Sequence, residues 1–531
     1  MKKAVLLLML ILNSYCYSQI TIKDIYIDRR DVFDSTDADW FFAAPVINSF
    51  HTLTKQYVIE DELLFKSGDE LNLDFVYETE RNLRNTGLFS NVDIQFDSAG
   101  YNSYDIWVIT QDRWSTMPEI LFGTGGKEHA FGLGLKEKNF LGTGSKIQLD
   151  LLYRSENKTG WQITDTIALR RFLRSDYSIE FSIFANKHKT AQNLQIYDPF
   201  LNISDKSSYG ISLKNEFGND FSYYDDKTNL LPIHERRLKL WYSYAWKRKD
   251  RVFMTVMSEF DDVKRIIPEY RRAYDNTAKL FVAFSSLSES YIETDKLNTF
   301  NIEDLPIGGW GTTILGKTFA MNSDGEALYY IGGRGETSWL YGNLYLFGQL
   351  TGASSFTNNH GKFTYQEFLG LGFYRITKDI LLTGRFCQQT VWNWNAYRQL
   401  VLDNDAGLRG YTANRLSGDN RIVGNIELRT FPNINLWILR FGPTLFFDVG
   451  TVWNKGIDID KTRWHSSIGA GLRIFNMKSE GKSGVIRIDV AYNFDERKFA
   501  EIILTSDQLF SVFKQHIFNL PEVFGMEFDY E

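Results

Sequence analysis

Apolar and polar residues alternate with a period of two through most of the chain beyond Trp114. In Ile486–Phe494 the positions Ile486, Ile488, Val490, Tyr492 and Phe494 are apolar, and the intervening Arg487, Asp489, Ala491 and Asn493 are charged, polar or small. Ile468, Ala470, Leu472 and Ile474 alternate with Gly469, Gly471 and Arg473, and Ile147, Leu149, Leu151 and Tyr153 with Gln148, Asp150 and Leu152. Leu238, Leu240, Tyr242, Tyr244 and Trp246 alternate with Lys239, Trp241, Ser243 and Ala245. Such a period places successive side chains on opposite faces of a strand. Strands of this length with one greasy face suit a sheet closed into a cylinder in lipid, where only a neighbouring strand can satisfy each backbone group. Tyr and Trp near strand ends fit the interfacial belts of such a cylinder. Residues 114–510 accommodate sixteen antiparallel strands at about 25 residues each, loops included. Segments 189–206, 218–234 and 286–325 lose the alternation and read as loops. A soluble sandwich or propeller would alternate too, but no blade-length repeat is present.

Residues 20–113 carry a different pattern. Thr21–Phe33 alternates through Ile25 and Ile27 and predicts a strand; residues 34–56 read as irregular, with one helix near Val46–Leu53. Ser67-Gly68-Asp69 is a turn, and residues 72–86 follow as a helix with Leu73, Val76 and Leu83 on one face, stopped by Gly87. Val92–Phe96 and Asp105–Ile109 then pair as a hairpin. The prediction is a small α+β domain over 19–113. Ahead of it, Met1-Lys2-Lys3 and the apolar run Ala4–Leu12 have the layout of a secretory signal peptide over residues 1–18, with Gln19 as the first mature residue. A lipid-anchored start at Cys16 is the alternative, disfavoured by the bulky Tyr15. After that segment no apolar run is long enough for a transmembrane helix.

Composition narrows the chemistry. Phe, Tyr and Trp make up 15% of 531 residues, and Gly is 40 against 9 Pro, a balance that suits twisted strands. The formal charge of −7 becomes −9 once Lys2 and Lys3 are removed, so there is no basic footprint for nucleic acid. Cys387 is the one thiol outside the leader, the seven His are scattered, and no Cys/His spacing suits zinc. No Gly-x-Ser-x-Gly elbow occurs. No metal, cofactor or enzymatic activity is expected.

Several local motifs remain. Leu83-x-x-x-Gly87-x-Phe89-x-x-Val92 is a helix, a tight turn and a strand entered through a buried Phe. Lys138-Asn139-Phe140-Leu141-Gly142-Thr143-Gly144 is a turn early in the barrel. Gly407-Leu408-Arg409-Gly410-Tyr411 lies in a long loop, followed by Val423–Arg429 and by Phe446-Phe447-Asp448-Val449-Gly450. In this order the set resembles the outer-membrane barrel assembly and translocation family: BamA/TamA-like, bacterial surface antigen type, including the two-partner-secretion transporters. The first motif is similar to the junction of a POTRA domain. The second (Asn139, Gly142, Gly144) resembles the family's N-F-x-G-x-G turn, and the third its Arg-Gly-aromatic loop, which folds back into the barrel. Phe446, Asp448 and Gly450 match its F-x-D-x-G strand. Counting back from Phe510, the loop falls between the eleventh and twelfth of sixteen strands, where the family places it.

Parity contributes independently. Ile422, Ile426 and Leu428 share a face, so Asn425, Glu427 and Arg429 point inward; Leu445, Phe447, Val449 and Trp453 face lipid, leaving Phe446, Asp448 and Gly450 inside. Glu427 and Asp448 then meet the loop of Arg409, Gly410 and Tyr411, and a guanidinium forked by carboxylates would hold that loop in one orientation. The resemblance implies a protein of the bacterial outer membrane with its N-terminal domain in the periplasm. It would take unfolded outer-membrane or secreted polypeptides as clients and membrane lipids and accessory envelope proteins as partners, inserting clients at the seam between its first strand (about Trp114–Thr124) and its last (Phe499–Phe510). A dedicated exporter of one partner protein and a passive channel are the other readings. Two features depart from the family's pattern: there is one POTRA-like domain, and residues 511–531 extend past the last strand. This extension either tucks back as a periplasmic tail or covers the seam.

Overall fold

A computed structural model describes residues 20–33, 48, 51–201, 205–224, 227–246, 250–298, 300, 302–322, 325–358, 360–436, 439–476, 485–505, 509–510, 518 and 520–526. The expected leader and most of the expected helix near Val46–Leu53 lie outside them; of the described residues in that span Asn48 is helical and His51–Leu53 are not. The chain divides into two compact units. One takes the residues up to Pro118 together with Leu135–Ile147 and Ala168–Arg170, and the other takes the rest.

The first unit is built in the order β1 (Thr21–Arg30), α1 (Gln56–Glu60), α2 (Leu73–Asn85), β2 (Phe89–Gly100) and β3 (Ser103–Asp112). Its sheet runs β1-β3-β2, with β1 parallel and β2 antiparallel to the central β3. Asn72 caps α2 by accepting the Asp74 amide at 2.9 Å. Val76 and Leu83 enter the core against Ile59, Ile94 and Val108. Leu73 does not: in the first turn of α2 it is 51% exposed, because its position falls off the stripe that Val76 and Leu83 define. Leu83, Phe89 and Val92 are all buried around the Gly87 turn, so this junction closes the core of the domain.

The second fold element is a closed antiparallel barrel. It has twenty strands rather than sixteen, from Thr116–Gly125 to a last strand in two pieces, Lys498–Phe499 and Ile503–Thr505, both pairing with Val485–Asn493. The extra strands come from the segments that read as loops. Lys189–Asp198, Ser207–Tyr224, Lys227–Trp246, Thr277–Asp295 and Ile302–Ala320 are all strands, and the last four have 18, 20, 19 and 19 residues. A bilayer needs only about ten residues per strand, so the ends of these strands stand clear of lipid and have no reason to keep one greasy face. Their inward faces carry a ladder of ions instead. Lys189 pairs with Asp220 at 2.6 Å, Lys214 with Glu216 at 2.9 Å, Arg237 with Asp261 at 2.7 Å and Lys279 with Glu259 at 2.6 Å.

Where the alternation is clean, the faces are as the parity predicts. Leu149, Leu151, Leu240, Ile426, Leu445, Phe447, Ile468 and Val490 are exposed on the outer wall, and Ser243, Asn425, Glu427, Asp448, Arg473, Arg487 and Asp489 are buried on the inner one. Trp246, Tyr341 and Trp392 are exposed at strand ends. No helix among the described residues is long and apolar enough to cross a membrane. A closed cylinder with an oily exterior and a charged lumen has the build of an outer-membrane barrel.

Candidate functional site

The fifteenth strand, Ile380–Trp392, and the sixteenth, Asn420–Thr430, pair directly, and the long connection between them turns back inside the wall. Five strands follow this loop, as the count back from Phe510 predicts; the four added strands all precede it. Within the loop Leu400–Val401 and Ser417–Gly418 form a short ribbon, and Leu402 and Leu408 are fully buried among Cys387, Tyr411 and Val423.

Arg409 sits at the centre, completely buried. Its Nε and Nη2 donate to the two oxygens of Asp448, each at 2.7 Å, and its Nη1 donates to Glu427 at 2.6 Å. The guanidinium lies 3.5 Å from the ring centroid of Phe446. Asn425 ties strand to loop, its Nδ2 donating to Asp448 at 2.7 Å and to the carbonyl of Gly407 at 2.6 Å. The sequence motif acquires a physical meaning here: Phe446 supplies the face beneath the cation and Asp448 the fork. Gly450 supplies room, since a Cβ there would lie 2.8 Å from the Ile422 carbonyl and 3.1 Å from Leu402. Gly410 likewise presses on the wall, where a Cβ would lie 2.8 Å from that of Ala491.

The structure brings together Arg409, Glu427 and Asp448, engages the inward-pointing Arg429, and adds Asp489, Arg473 and Arg487, which the sequence reading did not join to the loop. Asp489 reaches Arg409 at 3.5 Å and is itself bound by Arg473 at 2.5 Å and Arg487 at 3.4 Å. Arg429 bonds Glu427 at 2.8 Å. The signal for Asp489 was present in the parity of Ile486–Phe494, which sets it on the inner face. The Tyr411 hydroxyl donates to the Ser466 carbonyl at 2.9 Å and reaches Asp495 at 3.2 Å. Burial raises the Asp495 carboxyl, but the hydrogen bond and charge of His465, followed by those of Arg463, pull it below its ordinary value. Asp403, in the inward loop, is shifted the other way. Burial lifts it, the amide of Asn414 opposes, and the charge of Asp405 adds to the rise.

The barrel closes between its first and last strands, and this seam is thin. Thr277–Asp295, by contrast, pairs with Ile302–Ala320 along its whole length. Between the terminal strands the register among the described residues is the single pair Thr124 and Leu504. A side chain does part of the backbone's work: Thr124 Oγ1 donates to the Ile502 carbonyl at 2.6 Å and accepts the Leu504 amide at 3.2 Å. A cavity of about 490 Å³ lies between seam and inward loop, lined by Thr124, Thr505, Glu128, Arg385, Asp403 and Arg421.

The Lys138–Gly144 turn belongs to the first unit. Asn139 donates from Nδ2 to Thr54 Oγ1 at 2.8 Å and accepts the Gly144 amide at 2.8 Å, and the Lys55 amide donates to the Gly142 carbonyl at 2.8 Å. Thr54 in turn donates from its amide and hydroxyl to Asp112 at 2.7 and 2.8 Å. Gly142 has φ +72°, and a Cβ there would lie 2.6 Å from the Leu53 carbonyl. Gly142→Ala is therefore expected to cost about 1–3 kcal/mol of local stability. Amide exchange of Thr54 and Lys55, followed by mass spectrometry, should accelerate; unchanged exchange would show that the turn does not hold this segment.

No family model and no curated protein matches the chain. Among solved structures, BamA from Haemophilus ducreyi lacking POTRA domains 1-3 aligns over 92% of this chain and 84% of its own, at 12% identity and a TM-score of 0.41. CdiB from Acinetobacter baumannii covers 92% of this chain and 89% of its own at 10% identity, with a TM-score of 0.41. CdiB from Escherichia coli covers 92% and 76% at 10% identity, with a TM-score of 0.45.

Proposed function

We propose that this chain is an outer-membrane factor that passes polypeptides into or across the membrane at the seam of its barrel. The observation that carries the reading is the contrast between seam and lock. Among the described residues the terminal strands share one register pair, whereas the inward loop is pinned by a buried ion network, an arrangement that suits a wall parting at one place while the lumen keeps its shape. The N-terminal domain, with its β-α-α-β-β order, is read as of the POTRA type. Its edge strand β2 offers backbone groups to an extended client, and addition of a strand to a sheet edge is an established mode of peptide capture. No nucleotide site takes part in this scheme; the energy comes from client folding and membrane distortion.

Within this reading we favour assembly of barrel proteins. A dedicated exporter is the second reading, favoured by the one small domain that the described residues form ahead of the barrel. Depletion of the protein followed by quantitative proteomics of the outer membrane separates them. Loss of many barrel proteins is the expected result, loss of one secreted protein marks the exporter, and an unaltered membrane and secretome would overturn both.

A further inference from the structure

The described residues of the C-terminal extension, 518 and 520–526, line the inner wall of the barrel. Phe510 is buried rather than lipid-facing, its carbonyl accepting Arg429 Nη2 at 3.2 Å beneath a guanidinium 4.8 Å from its ring. Phe518 packs on Phe200 and Phe253, each at 5.1 Å between centroids. Glu522 pairs with Arg334 at 3.1 Å, and the same guanidinium lies 4.7 Å over the ring of Phe524. The Phe524 amide donates to the Tyr330 hydroxyl at 3.0 Å, and the side chain is 2% exposed. The Gly525 carbonyl accepts Arg398 Nη1 at 2.5 Å, and a Cβ at Gly525 would lie 3.0 Å from both Trp394 and Tyr365.

Two properties mark this as ligand binding rather than fold. None of the described residues from 518 to 526 joins a strand or helix, so side chains of the wall, not a ladder, hold the segment. Each wall group also reads a separate feature: Arg334 an acid and the aromatic two residues on, Tyr330 the backbone, and Trp394 with Tyr365 the absence of a side chain at Gly525. Charge agrees, since residues 518–531 contain Glu522, Glu527, Asp529 and Glu531 and no Lys or Arg.

We propose that Tyr330, Arg334, Tyr365, Trp394 and Arg398 form a binding site for an extended peptide of the pattern acidic-x-aromatic-Gly, and that the chain's own Glu522–Gly525 is its resident occupant and stoppers the lumen. Arg398 also donates from Nε to the Asp419 carbonyl at 3.1 Å, so departure of the segment frees a residue that braces the inward loop. The assignment rests on the wall and its occupant and is independent of the translocation reading.

The test uses planar lipid bilayers, with heat-modifiable migration to establish that each barrel is folded. Full-length protein carrying Glu522→Lys and Phe524→Ala should conduct ions several-fold better than wild type, and so should a chain ending at Phe510. A synthetic peptide of residues 511–531 should block the truncated barrel, and its Phe524→Ala version should need about tenfold more, as expected for loss of one buried aromatic anchor. A folded full-length variant with wild-type conductance would overturn the proposal, whether or not the truncated chain folds, and so would equal block by the two peptides.

Discussion

Arg409→Ala is expected to leave a barrel that still inserts but has lost the fixed position of its inward loop, and with it most of its activity. The reason lies in what each carboxylate retains. Glu427 keeps Arg429 at 2.8 Å and Arg473 at 3.7 Å, and Asp489 keeps Arg473 and Arg487. Asp448 keeps only the Asn425 amide as a side-chain partner, with no other cation at salt-bridge distance among the described residues. Stranding a buried carboxylate costs about 3–5 kcal/mol, far more than the net worth of the pair it came from. Urea unfolding in detergent micelles should register a loss of that order. Asp448→Asn in the Arg409→Ala background should recover much of the stability without recovering activity, because it removes the stranded charge but not the missing tether. Arg409→Lys should fare only a little better than Ala, since an ammonium cannot fill the two-toothed grip on Asp448. Wild-type activity in a folded Arg409→Ala protein would remove the network from the functional account.

This network was largely legible because it depends on parity, which is local. Eleven residues of Asn420–Thr430 suffice to send Asn425, Glu427 and Arg429 inward, and Phe446-x-Asp448-x-Gly450 repeats the lesson one strand on. Asp489 was equally visible as an inward acid, but it lies 80 residues from Arg409, and alternation within a strand does not say which inward charges meet. Strand number was not legible for the opposite reason. Strands such as Lys227–Trp246 outrun the bilayer, and their ends, with Asn229, Pro232 and His234, answer to water and to cross-strand ion pairs rather than to lipid. The path of residues 518 and 520–526 left no trace at all in the pattern. It is fixed by single side chains contributed by several different strands, a set of contacts without periodicity.

Joining the terminal strands covalently is expected to stop activity outright and reversibly. Thr124 and Leu504 face each other across the antiparallel seam, and directly opposed residues in such a pair are about 4.5–5.5 Å apart at Cα, within the reach of a disulfide. Thr124→Cys with Leu504→Cys removes the hydroxyl that bridges Ile502 and Leu504, so the reduced double variant should have a seam at least as easy to part as the wild type. Under oxidant the same protein should lose function, and a reductant should restore it within one preparation, which separates opening from folding. Cys387 is buried within the wall and packs with the inward loop, so the pair belongs in a Cys387→Ala background, itself compared with wild type first. Cross-linking is read as a shift in unheated gel migration and activity as client insertion in reconstituted vesicles. If the oxidised barrel inserts clients at the reduced rate, the terminal strands do not part, and the thin seam is a feature of closure alone.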